Sequence, residues 1–293
     1  IAEGNLKRSS QKMAELISMS IKNIEEVSKK EGGVSGVPTG FRDLDQLTSG
    51  FQPSDMVVLA ARPGMGKTAF VLSMARNTAV DFGQGVAVFS LEMSAAQLVN
   101  RLISSETELA QDKLKKGTLE KHEWKQLHAK ITKLADAPLF IDDTPALSIF
   151  ELRAKCRRLK SQHDIKMVII DYLQLMTTGG NEGNREQEIS SISRSIKSIA
   201  KELNVPIIAL SQLSRAVETR GGEKRPMLSD LRESGAIEQD ADMVMFIYRP
   251  AYYGIEEDDD GLPTDDLAEL ILAKHRNGSL DTVKLKFVGK LAK

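Results

Sequence analysis

The chain has 293 residues, 41% of them hydrophobic and 28% charged, with a formal net charge of −1. That is an ordinary composition for a globular protein with a sizeable core. It excludes the global basic field of a histone-like protein, so any nucleic-acid contact must use a local patch, or basic loops gathered by assembly.

Taken in chain order, residues 9–30, "SSQKMAELISMSIKNIEEVSKK", come first. They set Met13, Leu16, Ile17, Ile21, Ile24 and Val27 mostly along one helical stripe with charges opposite, which predicts an amphipathic helix. The Gly-rich stretch "EGGVSGVPTG" follows and reads as a linker. The stripe can fold back on its own core or dock on a neighbouring subunit. From residue 37 onward, strand-like runs alternate with helical patterns. Strands are predicted over 56–60, 86–89, 139–142, 167–171, 206–210, 243–248, 270–273 and 282–287, with amphipathic helices between the first five. Ser94–Gln97 and Ser148–Glu151 fit the S-x-x-[EQ] capping box that opens a helix. Such alternation predicts an α/β fold with a parallel sheet covered on both faces, ending in antiparallel or hairpin strands. Residues 177–188 and 217–239 are polar, Gly-bearing and unassigned, and "EEDDDGLPTDD" (256–266) reads as a solvated acidic loop.

The single Cys156 excludes an internal disulfide framework, and its helical spacing with Leu152 and Leu159 marks it as a core side chain. Four scattered His form no metal-ligand cluster. With no apolar run of the roughly 18–20 residues a bilayer requires, and no secretory signal, the expected location is cytoplasmic. A first residue of Ile rather than Met suggests a piece of a longer protein.

The stretch "VVLAARPGMGKTAFVLSMA" (57–75) carries the chemistry. A phosphate loop needs inward-facing backbone N–H groups, a Lys for the β- and γ-phosphates and a hydroxyl for Mg²⁺. Pro63, Gly64, Met65, Gly66, Lys67, Thr68 and Ala69 supply these, and the helix opening there adds its N-terminal dipole. Ala61 stands where the G-x-x-x-x-G-K-[ST] pattern has its first Gly, and is tolerable if its φ stays negative. The site therefore implies a nucleoside triphosphate and Mg²⁺. "KMVIIDYLQL" ends a strand at Asp171, placed to complete the Mg²⁺ shell beside Thr68. Glu92 lies just past a buried strand, where open α/β sheets bind ligands, and is the candidate base for water. Gln212 ends a further strand and can sense the γ-phosphate.

"GVPTGFRDLDQLTSGFQPSDMVVLAARPGMGKT", "FSLEMS", "VIIDYLQLM", "ALSQLSR", "DLRESGAIEQDADMVMFIYR" and "AKHRNG" follow one another in an order and spacing that resembles the bacterial replicative DNA helicases of the DnaB family, over about residues 10–290. That resemblance implies a RecA-like P-loop NTPase motor (37–293) preceded by a linker helix and connector (1–36). It implies assembly as a hexameric ring around single-stranded DNA, ATP hydrolysis between subunits, and 5′-to-3′ movement that separates the strands. It also implies primase and a helicase loader as partners. By carry-over, Lys274 and Arg276 are the basic pair reaching the neighbour's nucleotide; strand alternation puts them on one face. Arg232, Glu233 and Gly235 belong to a loop lining the central channel, and the earlier loop with Arg185 faces the same channel. A recombinase-type filament protein, an ATP-switched signalling protein and a kinase are the rival readings.

Overall fold

The computed structural model describes residues 12–29, 33–179, 185–231, 235–258 and 260–293. The elements in order are α1 (Met13–Ser28), α2 (Arg42–Thr48), β1 (Met56–Ala61), α3 (Lys67–Arg76), β2 (Val86–Ser90), α4 (Ala95–Thr107), α5 (Gln111–Lys116), α6 (Lys121–Ala135), β3 (Leu139–Asp142), α7 (Ile149–His163), β4 (Met167–Asp171), α8 (Arg185–Leu203), β5 (Ile207–Gln212), α9 (Ala216–Thr219), α10 (Gly235–Asp240), β6 (Met243–Tyr248), β7 (Leu267–His275) and β8 (Thr282–Lys286). All eight expected strands form, most within a residue or two of their expected bounds. They make one sheet in the order β3-β2-β4-β5-β1-β6-β7-β8. The first six of these are parallel, and β7 and β8 add antiparallel at the edge.

The two-residue period of a strand divides the core. Met56, Val58 and Ala60 pack on one face with α7, α8 and α10, where Ile189, Ile192, Ile196 and Ile199 of α8 meet them at helical spacing. Val57, Leu59 and Ala61 pack on the other face against Phe70, Val71 and Met74 of α3 and Leu98 and Leu102 of α4. A parallel sheet buried on both sides needs such continuous apolar strands, and β1 is buried at all six positions. Both capping boxes are present at α4 and α7. Cys156 lies in the core, where burial pushes its thiol up to about 12.

Three segments differ from their sequence reading. The second half of the Gly-rich stretch is part of the body: Val37 pairs with Phe51, and Thr39 and Gly40 donate to the Asp45 carboxylate. Of residues 217–239, the described part holds α9, a tight turn at Leu228–Asp230 and α10, because Arg220 pairs with Asp230 and Leu213 bridges Leu231. The acidic loop is organised rather than simply solvated. Lys284 bridges Asp258 at 2.9 Å and Asp260 at 3.2 Å, and Asp258 accepts from the Leu262 N–H at 2.9 Å. On α1, the apolar stripe stays exposed, Met13 at 70%, Ile17 at 51% and Ile24 at 66%, so the fold-back alternative is not the arrangement adopted. No helix among the described residues is long and apolar enough to cross a membrane.

Candidate active site

Parallel strands bring their carboxyl ends to one edge, and the loops leaving β1, β2, β4 and β5 meet there. Ala61 is the last residue of β1, extended, buried and paired with Gln212, so the missing glycine costs the loop nothing. The chain then turns through Gly64 (φ 80°) and Gly66 (φ 99°) into α3. A Cβ on Gly66 would come within 3.0 Å of the Phe287 ring, so that position needs glycine for its φ and for space.

Lys67 donates to the Ser211 carbonyl at 3.0 Å and lies 5.4 Å from the Tyr172 ring centroid. The Thr68 hydroxyl donates to Asp171 Oδ2 at 2.9 Å. Glu92 is exposed two residues beyond β2, and its loop is held by the Ser90 hydroxyl donating to the Met93 carbonyl at 2.8 Å. Glu92, Lys67, Thr68 and Gln212 line one cleft of about 410 Å³, with Arg62, Arg101, Tyr172 and Phe287. Burial pushes Lys67 down, only partly offset by Asp171 and Glu92. Burial likewise pushes Asp171 up, against the Thr68 hydrogen bond and the Lys67 charge. Both charged forms are thus disfavoured by desolvation, and each would gain from an opposite charge: a polyphosphate for Lys67, a divalent cation for Asp171. Asp171 Oδ1 is buried and accepts no hydrogen bond, which fits an atom aimed at a metal or its water shell.

Several site residues carry no sequence signal of the usual kind. Arg62 is buried, donating to the Leu213 carbonyl at 2.8 Å and to Glu218 at 2.9 Å, and so ties the phosphate loop to the segment after β5. Phe287 arrives from beyond β8 and stacks beneath Arg249, 4.0 Å from ring centroid to guanidinium. Gln174, in the turn after β4, donates to Ser211 Oγ at 2.8 Å and accepts from the Gln212 N–H at 3.4 Å. Its carbonyl accepts from Arg185, so a chain of bonds runs from the end of β5 to the start of α8.

The expected basic pair stands elsewhere. Lys274 pairs in register with Val244, and Val57 with Met243, which puts Lys274 and Arg276 at the amino end of β1. Five strand steps, roughly 17 Å, separate that edge from the phosphate loop. Lys274 donates to the Glu238 carbonyl and Arg276 to that of Gln239, so the two do share a face, while His275 turns toward the Ser279 carbonyl. Gly235 opens α10 and Arg185 opens α8; Arg232 and Glu233 lie outside the described residues.

This order of elements and this sheet have known counterparts. The family described as "DnaB-like helicase C terminal domain" matches residues 36–293. The chain belongs to that family. Its relatives include the replicative DNA helicase DnaB of Geobacillus stearothermophilus, 49% identical over 267 residues (91% of this chain, 58% of the relative), and the replicative DNA helicase DnaC of Bacillus subtilis (strain 168), 48% identical over 279 residues (95% and 60%). This chain spans about three-fifths of those relatives' length. Among solved structures, the ATPase domain of G40P matches with TM-score 0.89 and 38% identity, covering 97% of this chain and 98% of that one. A DnaB-like replicative helicase, described with its interactions with primase, matches with TM-score 0.84 and 37% identity, covering 98% and 67%. The DnaB-like fold is therefore a RecA-like P-loop arrangement with antiparallel strands at one edge.

Proposed function

We propose that this chain is the ATP-driven motor of a replicative DNA helicase, working as a hexameric ring that moves 5′ to 3′ on single-stranded DNA in the cytoplasm. One observation carries the reading. The phosphate loop and the pair Lys274 and Arg276 occupy opposite edges of the sheet, so a nucleotide can meet both only where two copies adjoin. Hydrolysis then depends on assembly, as with an arginine finger supplied in trans.

In this reading Lys67 and the loop N–H groups of Pro63–Ala69 cradle ATP, apart from Pro63, which has none. Thr68 and Asp171 would hold Mg²⁺, which would neutralise charge on the β- and γ-phosphates. Glu92 orients and activates the attacking water, and Gln212 reports the γ-phosphate through Gln174 to Arg185. Arg185, Arg232, Glu233 and Gly235 face the channel and contact the DNA backbone without reading bases, a mode suited to a motor indifferent to sequence. The exposed stripe of α1 belongs against a neighbouring copy. The groove between α4, α6 and β3, lined by Val99, Leu102, Ile131 and Leu134, offers an apolar surface of matching kind. Primase and a loader are the expected protein partners; a related helicase structure, described with its interactions with primase, supports the first.

The deciding experiment is unwinding of a forked duplex bearing a 5′ or a 3′ tail, with and without ATP. ATP-dependent unwinding that requires the 5′ tail is expected. ATP turnover indifferent to single-stranded DNA and to protein concentration would favour a signalling ATPase instead.

A further inference from the structure

The amino-terminal edge of the sheet holds an ionic cluster that the nucleotide cradle does not use. Asp242, just before β6, is buried, with 7% of its surface exposed. Its Oδ1 accepts from the Arg276 guanidinium at 3.2 Å, and its Oδ2 from Lys197 of α8 and from the Met56 N–H at 2.8 Å. Its backbone carbonyl also accepts from the Arg276 N–H at 2.9 Å. Asp55 stands beside this group, with Asp242, Lys197 and Arg276 as its charged neighbours. Arg276 is thereby held by both its main chain and its side chain, although that side chain is 46% exposed.

Two of the elements that meet at Asp242, α8 and α10, follow the loops assigned to the channel. Helix α10 begins at Gly235, and its last carbonyls, of Glu238 and Gln239, accept from Lys274 and Arg276. Those carbonyls lack helical partners and form the negative end of the helix, so cations belong there. Helix α8 begins at Arg185 and carries Lys197, and its Ser193 hydroxyl donates to Asp240 of α10 at 2.8 Å. A rigid-body displacement of either helix therefore moves an atom bonded to Arg276 or to its counter-ion.

We propose that Asp242 is a positioning residue for Arg276, holding the guanidinium for the neighbouring subunit's nucleotide and passing to it the movement of α8 and α10. The proposal rests on the shared-site reading above. Asp242 is buried at the amino end of β1, away from this copy's cradle, and is bonded to Arg276, so in this proposal its effect on turnover runs through Arg276.

The test is a double-mutant cycle on the full chain with Asp242→Asn and Arg276→Ala, reading ATP turnover with and without single-stranded DNA. Asparagine keeps an acceptor for Met56, and Asp55 remains as a counter-ion for Lys197. Asp242→Asn is expected to lower DNA-stimulated kcat by about tenfold or more and to change KM for ATP by no more than about twofold, because the cradle lies at the other edge. In the Arg276→Ala background the same change should alter residual turnover by less than about twofold, the signature of two residues acting as one unit. An equal loss in both backgrounds, or full DNA-stimulated turnover in Asp242→Asn while Arg276→Ala is inactive, overturns the proposal and leaves the shared site standing. Full turnover in Arg276→Ala instead removes the shared site, and the proposal with it. Should Asp242→Asn fail to fold, Ser193→Ala carries the test. It cuts the α8–α10 bond alone and should reduce DNA stimulation at least threefold with DNA-free turnover unchanged; intact stimulation would refute the link.

Discussion

Lys67 Nζ donates to the Ser211 carbonyl at 3.0 Å, so the cation of the phosphate loop rests on the strand that ends in Gln212. Burial already disfavours its charge. Lys67→Ala should therefore abolish ATP turnover while leaving the nucleotide-free melting temperature unchanged or raised. Nucleotide at a hundredfold excess over Kd stabilises a binding protein by about 2.7 kcal/mol, and that thermal shift should vanish in the variant. A calorimetric or dye-melt titration with ATP decides it; a normal shift would detach Lys67 from the phosphates.

Gly66→Ala tests the loop's backbone. Its φ of 99° suits glycine, and the Phe287 ring would stand 3.0 Å from the new methyl group. A loss of roughly 1–3 kcal/mol in denaturant stability is expected from the forced conformation, along with nucleotide binding. Adding Phe287→Leu should recover part of the stability by clearing the contact, without restoring the φ.

Arg276→Ala should lower turnover by roughly 10³–10⁵, the range for a finger in trans. Mixed with Lys67→Ala protein, which keeps its own Arg276, it should regain turnover above either variant alone, because an intact cradle then meets an intact finger from its neighbour. No recovery in that mixture would place all the chemistry within one copy.

Arg185→Ala and Arg232→Ala should each weaken single-stranded DNA binding evenly across sequences and reduce the slope of log affinity against log salt by about 1, or slightly less. A changed base preference in either variant would contradict backbone-only contact. Fluorescence anisotropy with homopolymer oligonucleotides at several salt concentrations measures both.

Asp55 gives a dependence on pH. Burial first, then the Asp242 charge, raises its carboxyl from 3.8 to about 6, against Lys197 and Arg276. A raised carboxyl means that the folded protein holds the proton more tightly than the unfolded chain. Stability from this group is present below about pH 4, declines as pH climbs toward 6, and is absent above. Asp55→Asn should thus be neutral near pH 4–5 and should raise the melting temperature at pH 8 by about 1–3 °C, a modest figure because the group is partly solvated. An equal effect at both values would mean that Asp55 titrates normally.

Much of this architecture is legible locally. The β1–α3 segment announces itself because strand, glycine turn and Lys-Thr are contiguous, and Asp171 because it closes an unbroken apolar run. Ala61 departs from the phosphate-loop pattern, and its place as the last residue of β1 accounts for the departure. What could not be read depends on chain segments far apart. Phe287 reaches Gly66 across the sheet, Gln174 lies in a turn whose partner is Ser211, and Asp242 looks like one acid among several in "EQDADM" until Lys197 and Arg276 close on it. Unpaired polarity in 256–266 suggests open solvent, yet Lys284 organises it from another strand. Local pattern reveals an element; only the pairing of elements reveals which charges compensate one another.

The placement of the cradle and the basic pair on opposite edges has a consequence for any string of these molecules. Contacts made head to tail leave two unlike ends, unless rotation closes them into a circle. In a closed circle every cradle has a donor. On the shared-site reading, breaking the circle at one seam leaves a single cradle idle. The gap thereby marks its own position by a nucleotide that does not turn over.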